Sequence, residues 1–124
     1  MPIATLDNKI SIAMSVSDRH ISADWFSDKL GFTLLHHIDE AGWSEMQTKT
    51  EGVTLGLGEQ LEPTPGNTVP VFGVADIKTE RANLEAAGVK FDAETETIEG
   101  MVSIATFYDP DGNAFMLAQD LSIP

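Results

Sequence analysis

The sequence predicts an α/β protein (strictly α+β) built from two consecutive β-α-β-β-β modules within a single domain spanning residues 1–124. Three observations lead there. Residues 10–16 alternate large and small side chains at period two, the pattern of a strand packed on one face. Helix-start and helix-stop residues, Asp18 with Gly31 and Asp76 with Gly88, bracket two helical patterns. The chain also matches itself at an offset of 58: Val16, Ser17 and Asp18 fall on Val74, Ala75 and Asp76, and Phe26 falls on Leu84. A repeat of one supersecondary unit is a specific signal, because few folds are assembled that way.

The elements follow in order. In the first strand Ile10, Ile12, Met14 and Val16 share the packed face, and Ser11, Ala13 and Ser15 face the other way. Asp18 caps a helix carrying Ile21, Trp25, Phe26 and Leu30, and Gly31 ends it. A strand is expected over 32–38, a turn over 39–42, and two further strands near 43–48 and 53–57. Residues 59–67 are rich in Pro, Gly and Glu without apolar period and read as a linker between a first module (10–58) and a second (68–119). The second module repeats the pattern: a strand over 69–74, a helix over 79–87, a strand opening at 89–91, another over 101–107 and the last over 114–118. The two helices would pack outside two curved sheets.

Composition limits the functions available. With 42% hydrophobic and 22% charged residues the chain is globular in character, and it contains no cysteine, which removes disulfides, thiolate metal sites and cysteine nucleophiles together. Twenty acidic against seven basic residues give a formal charge of −13. Such a chain repels phosphate polyanions and anionic membrane surfaces, so neither nucleic acid nor membrane is an expected partner. There is no signal-peptide pattern at the N-terminus and no apolar run of roughly 18–20 residues, so a cytoplasmic location is the expectation. A small molecule is the expected partner.

Val16-Ser17-Asp18, Trp25-Phe26 and Leu30-Gly31-Phe32 resemble the opening of a vicinal-oxygen-chelate domain, the glyoxalase, bleomycin-resistance and dioxygenase superfamily. Val74-Ala75-Asp76, Leu84 and Gly88-Val89 are similar to the start of its second module, and residues 107–113 with Phe115 and Leu117 to its closing hairpin. The resemblance covers residues 10–119 and implies two curved sheets around a cleft and, as in small relatives, a homodimer. Asp109-Pro110-Asp111-Gly112-Asn113 is read as a turn, since Pro110 presets φ and Asp, Gly and Asn suit turn positions.

Metal-using members of that family hold an ion with four side chains on paired strands. By the resemblance those places fall here on Ser11, Gly56 (or Leu55, one register away), Val69 and Met116. Divalent transition metals want imidazole or carboxylate, so no metal and no cofactor is expected. His36 and His37 are strand neighbours pointing to opposite faces, and His20 lies in the first helical turn, so these three do not rescue a site in a regular strand. Strand parity places Phe32, Leu34 and His36 together and His37 on the hollow, where it is the candidate for a polar contact or proton transfer, against the plainer reading of a strand-end histidine bonded to backbone or water.

The predicted lining of the hollow is small and uncharged: Ser11, Ala13, Thr54, Gly56, Val69, Val71, Ala114 and Met116. Trp43 and Met101 either line its rim or belong to the core. The candidate ligand-binding residues are therefore Ser11, Ala13, His37, Trp43, Gly56, Val69, Val71, Met101 and Met116. An uncharged hollow suits an apolar or aromatic ligand and a metal-independent binding protein. Two other readings stay open. One is an enzyme, either a metal-free isomerase or lyase using His37 or a glyoxalase- or dioxygenase-like metal enzyme with relocated ligands including His36, His37, Glu45 or Glu99. The other is an interaction module whose acidic surface meets a basic partner.

Overall fold

A computed structural model describes residues 7–122 together with Ile3 and Thr5. It contains two four-stranded sheets, each with one long helix, and neither sheet closes on itself. Two compact units divide at residue 63: 1–63 and 64–124. No helix among the described residues is long and apolar enough to cross a membrane.

In the first unit β1 (Ile10–Val16) leads into α1 (Arg19–Leu30), followed by β2 (Thr33–Ile38), a short 3-10 turn (Asp39–Ala41), β3 (Trp43–Gln47) and β4 (Val53–Glu59). The strand order is β1-β4-β3-β2, with β1 parallel to β4 and the remaining pairs antiparallel. Asp18 caps α1 by accepting from the His20 and Ile21 amides, and Gly31, at φ 72°, ends it with its N–H on the Phe26 and Ser27 carbonyls. A left-handed residue is cheapest as glycine, which is why the chain turns there. One face of the sheet packs under α1: Val16, Phe26, Phe32, Met46, Leu55 and Leu57 are buried, with Phe26 and Phe32 stacked at 5.9 Å. The other face, carrying the alternate residues of each strand, is open.

The second unit repeats this plan with β5 (Val71–Gly73), α2 (Ile77–Ala86), β6 (Lys90–Ile98), β7 (Val102–Tyr108) and β8 (Ala114–Asp120), ordered β5-β8-β7-β6. Asp76 caps α2 through the Thr79 amide. Phe107, Phe115 and Leu117 are buried on the helix-bearing face, where Phe115 stacks on both Phe72 and Phe107. The helix begins at Ile77, two residues earlier than the sequence pattern suggested, because the cap at Asp76 starts it.

Residues 109–113 form the expected turn. Asp109 Oδ1 accepts from the amides of Asp111 and Asn113, and its Oδ2 from the Asn113 side chain. Burial raises the Asp109 pKa, and these hydrogen bonds offset only part of that.

Candidate functional site

The open face of the first unit's sheet carries a concentrated set of polar and aromatic side chains. On β3 the parity is clear: Ser44 and Met46 are buried, as is Thr48 just after the strand, while Trp43, Glu45 and Gln47 stand on the open side. Glu45 sits opposite Gly56 of β4, Gly56 opposite Ala13 of β1, and Thr54 opposite Ser11. Ser11, Ala13, Trp43, Glu45, Thr54 and Gly56 therefore share one surface.

Trp43 lies over β4. A Cβ built on Gly56 would fall within the indole ring, 2.6 Å from Cη2 and closer still to Cζ2, and one on Gly58 would lie 3.5 Å from Cζ3. The two glycines make a flat trough of backbone in which the indole rests. The ring is half-buried, lying on the open face and outside the helix-side core.

Glu45 is the centre of this surface. Its Oε2 accepts from Ser11 Oγ and Thr54 Oγ1, both at 2.6 Å, and its Oε1 accepts from Trp43 Nε1 at 2.6 Å. Burial pushes its pKa up. The hydrogen bonds from Ser11, Thr54 and Trp43, helped by His36 on the adjoining strand, outweigh that and hold it below the usual glutamate range. Glu45 is thus a fixed carboxylate within a surface expected to be uncharged.

His37 does not face this surface, contrary to the expectation from strand parity. A bulge in β2 inserts one residue: Thr33 pairs with Gln47 and Leu34 with Met46, and then His36, skipping Leu35, pairs with Glu45. The extra residue flips every later side chain. His36 accordingly joins Glu45 on the open side, and His37 pairs with Ser44 on the helix side. There its Nδ1 lies 2.5 Å from Ser44 Oγ and its ring 4.0 Å from that of His20.

The same helix-side cluster contains Arg19, which no sequence motif singles out. The guanidinium is buried at 5% exposure and donates to the Trp43 carbonyl, Ser44 Oγ and Asp39 Oδ1 at 3.0–3.1 Å. Its Nε lies 3.5 Å from Glu59 Oε1, an ion-pair distance without hydrogen-bond geometry. Arg19 thus fixes the strand end that presents Trp43. Only a long cation at the first helical position hinted at it.

The remaining candidates belong to the second unit. Val71 pairs with Met116, both on the open side of β5 and β8, and Val71 is 54% exposed. Val69 lies just before β5 and is half-buried. Met101 is in the β6–β7 turn, 61% exposed, with its amide on the Ile98 carbonyl, and so is outside that unit's core.

The positions assigned to metal ligands do not fit a divalent ion. Ser11 spends its hydroxyl on Glu45, Gly56 is covered by indole, and Val69 and Met116 offer no hard donor. Leu55, the alternative for Gly56, is buried on the helix side. His36 and Glu45 share a face but His37 is on the other, and among the described residues no three His, Asp or Glu side chains gather to hold a metal.

Residues 10–117 match the family model of the Glyoxalase/Bleomycin resistance protein/Dioxygenase superfamily. The chain belongs to that superfamily. Among curated relatives, an uncharacterized protein of Bacillus subtilis strain 168, YurT, is 29% identical over 118 residues, covering 84% of this chain and 92% of the relative. A superfamily member from Sphaerobacter thermophilus has the same fold, with a TM-score of 0.79 at 22% identity over 93% of this chain and 98% of its own. TnmS3, an antibiotic binding protein from Streptomyces sp. CB03234, is similar with a TM-score of 0.76 at 25% identity, over 94% of this chain and 98% of that one.

Proposed function

We propose that this chain is a metal-independent binding protein for a small organic molecule that combines a flat apolar ring with a hydrogen-bond donor or positive group. The observation that carries the proposal is Trp43, seated on Gly56 and tied by its indole N–H to the ionised Glu45. The exposed side of the indole is a stacking platform, and the carboxylate beside it selects a donor. Likeness to an antibiotic binding protein supports ligand binding as the class of function. Ser11 and Thr54 act by holding Glu45, and Ala13 and Gly56 by leaving room. Val69, Val71 and Met116 give the second unit an uncharged open face of its own, to which the same proposal assigns apolar ligand contact. A homodimer and a cytoplasmic location belong to the same reading.

The test is a fluorescence and calorimetric titration with a panel of neutral, cationic and anionic aromatic compounds. Trp25→Phe provides the background, so that the signal reports Trp43 alone. Dissociation constants on the order of micromolar, about −8 kcal/mol, are expected for cationic or donor-bearing rings. Trp43→Ala and Glu45→Gln should each weaken them about tenfold or more. A panel without response, or binding unaffected by both variants, overturns the proposal.

A catalytic reading has one specific observation in its favour: His36 stands beside Glu45 on the open face. In that case turnover depends on His36 and survives His37→Ala, the reverse of what strand parity suggested.

A further inference from the structure

The two units place the same parts around their helix N-termini, and they differ at one spot. In the first unit the amide of Arg19, the first residue of α1, donates to Glu59 Oε1 at 3.0 Å. In the second the amide of Ile77, the first residue of α2, donates to Gln119 Oε1 at 2.9 Å. The cross-strand pair His37–Ser44 has its counterpart in Thr97–Ser103, whose hydroxyls lie 2.8 Å apart. The first unit fills the space between helix and sheet from within, using the Arg19 guanidinium and the adjoining rings of His37 and His20. The second unit has Ile77, Thr97 and Lys78 at those places. All three leave the space unfilled, and a cavity of about 500 Å³ lies there.

The space is a groove open to solvent, since Lys78, Ala82, Glu85 and Thr97 along it are exposed while Ile77 and Ser103 at its floor are buried. Its lining is unlike a packing defect. Thr95, Thr97, Ser103 and Gln119 rise from the sheet, Lys78 and Arg81 come from α2, and Ile77 and Ala82 are the apolar part. Arg81 is held in place: it donates to Thr95 Oγ1 at 3.0 Å and to the Ala93 carbonyl at 2.7 Å, and lies 4.7 Å over the Phe91 ring. Ala93 adopts φ 54° in the β6 bulge, which aims its carbonyl at the guanidinium. The Gln119 oxygen is used by Ile77, and among the described residues no hydrogen bond takes up the Gln119 NH2, which belongs to the lining.

Donors therefore exceed acceptors here. Glu85, at the rim, is the one carboxylate of the lining and lies 3.5 Å from Arg81 Nε. Lys78 makes no ion pair among the described residues, although its charge adds to the Thr79 hydrogen bonds that lower the pKa of Asp76, the cap of α2. At physiological salt, charges beyond about 8 Å are screened, so local cations decide what binds here rather than the net charge of −13.

We propose that the cavity beneath α2, lined by Lys78, Arg81, Thr95, Thr97, Ser103 and Gln119, binds a small organic monocarboxylate. The lining carries two cations, Lys78 and Arg81, against one carboxylate, Glu85, and this single excess positive charge matches a monoanion better than a phosphate dianion. The Gln119 NH2 and the hydroxyls supply directional donors to a carboxylate. Ile77 and Ala82 meet the ligand's apolar body. The site is independent of the Trp43 surface, so the two proposals succeed or fail separately.

Amide chemical shifts of the full-length protein, titrated with benzoate, acetate, inorganic phosphate and the neutral control benzyl alcohol, provide the test. Benzoate should move the amides of residues 77–82, 95–97, 103 and 119 with saturation in the millimolar range or below, and benzyl alcohol should leave them in place. Lys78→Gln, at an exposed position, and Gln119→Glu should each weaken benzoate about tenfold. Gln119→Glu keeps the acceptor for Ile77, as Glu59 does for Arg19, so the fold is retained while the donor is lost. Absence of shifts at these residues, shifts confined to the Trp43 indole, a response to phosphate but not to benzoate, or binding indifferent to both variants overturns the proposal.

Discussion

The indole of Trp43 rests on the backbone of Gly56 one strand away, in a space that any other side chain at 56 would occupy. The contact couples stability to the candidate site. Gly56→Ala must displace the ring or spread β3 from β4, and overpacking of this kind costs typically about 1–3 kcal/mol. The urea midpoint should fall accordingly. The near-UV circular dichroism of Trp43 should change, and binding of aromatic ligands should weaken with it. A variant that is as stable as the parent with an unchanged spectrum would show that the ring does not need the glycine.

Glu45 sets a pH dependence with a definite sign. Its pKa in the folded chain is lowered by the Ser11, Thr54 and Trp43 hydrogen bonds, which win over burial. A carboxylate depressed on folding adds stability that is fully present above its unfolded value, about 4.3, and is lost as pH falls through its own lower value. Glu45→Gln should therefore lose its destabilising effect, relative to the parent, as the pH is lowered through that range. Carboxyl NMR titration gives the folded value directly. A midpoint at or above the ordinary glutamate value would contradict the three hydrogen bonds. Asp109 has the opposite slope, because burial raises its pKa, and Glu45→Gln leaves that contribution intact.

The architecture was legible in the sequence because it is written twice. The Val-x-Asp caps, the helix stops and the period-two strands recur at one spacing, and both sheets form in that order. The site was less legible, for two physical reasons. Parity counting assumes an unbroken ladder, and the bulge at Leu35 adds a residue that exchanges the faces of His36 and His37. Glu45 was counted only as a possible metal ligand, since nothing in a lone glutamate on a strand announces three donors converging from β1, β3 and β4. Arg19 escaped for a related reason: a cation in a first helical turn is unfavourable beside the dipole, and only the tertiary fold supplies Asp39, Glu59 and two oxygen acceptors.

Arg19→Met should cost about 2–4 kcal/mol in chemical denaturation, because it strips the Trp43 carbonyl and Ser44 hydroxyl of a charged donor. Glu59→Gln should be mild, within about 1 kcal/mol, since the second unit caps its helix with Gln119 in the same manner. If the two variants were equally harmful, the Arg19–Glu59 contact rather than the buried acceptors would be what holds this corner.

The neighbouring histidines should separate cleanly by experiment. His37 is hydrogen-bonded to buried Ser44 and its ring lies 4.0 Å from that of His20, so His37→Ala should destabilise by about 1–2 kcal/mol. Ligand affinity at the Trp43 surface should be nearly unchanged, because His37 points away from it. His36 is exposed beside Glu45, so His36→Ala should leave stability within about 0.5 kcal/mol of the parent. Ligand affinity at the Trp43 surface should respond to this change, because His36 stands beside Glu45 on the open face. Denaturation curves and ligand titrations across pH on both variants make the comparison. If His37→Ala abolished binding while His36→Ala had no effect at any pH, the bulge would have been assigned to the wrong side of the pair.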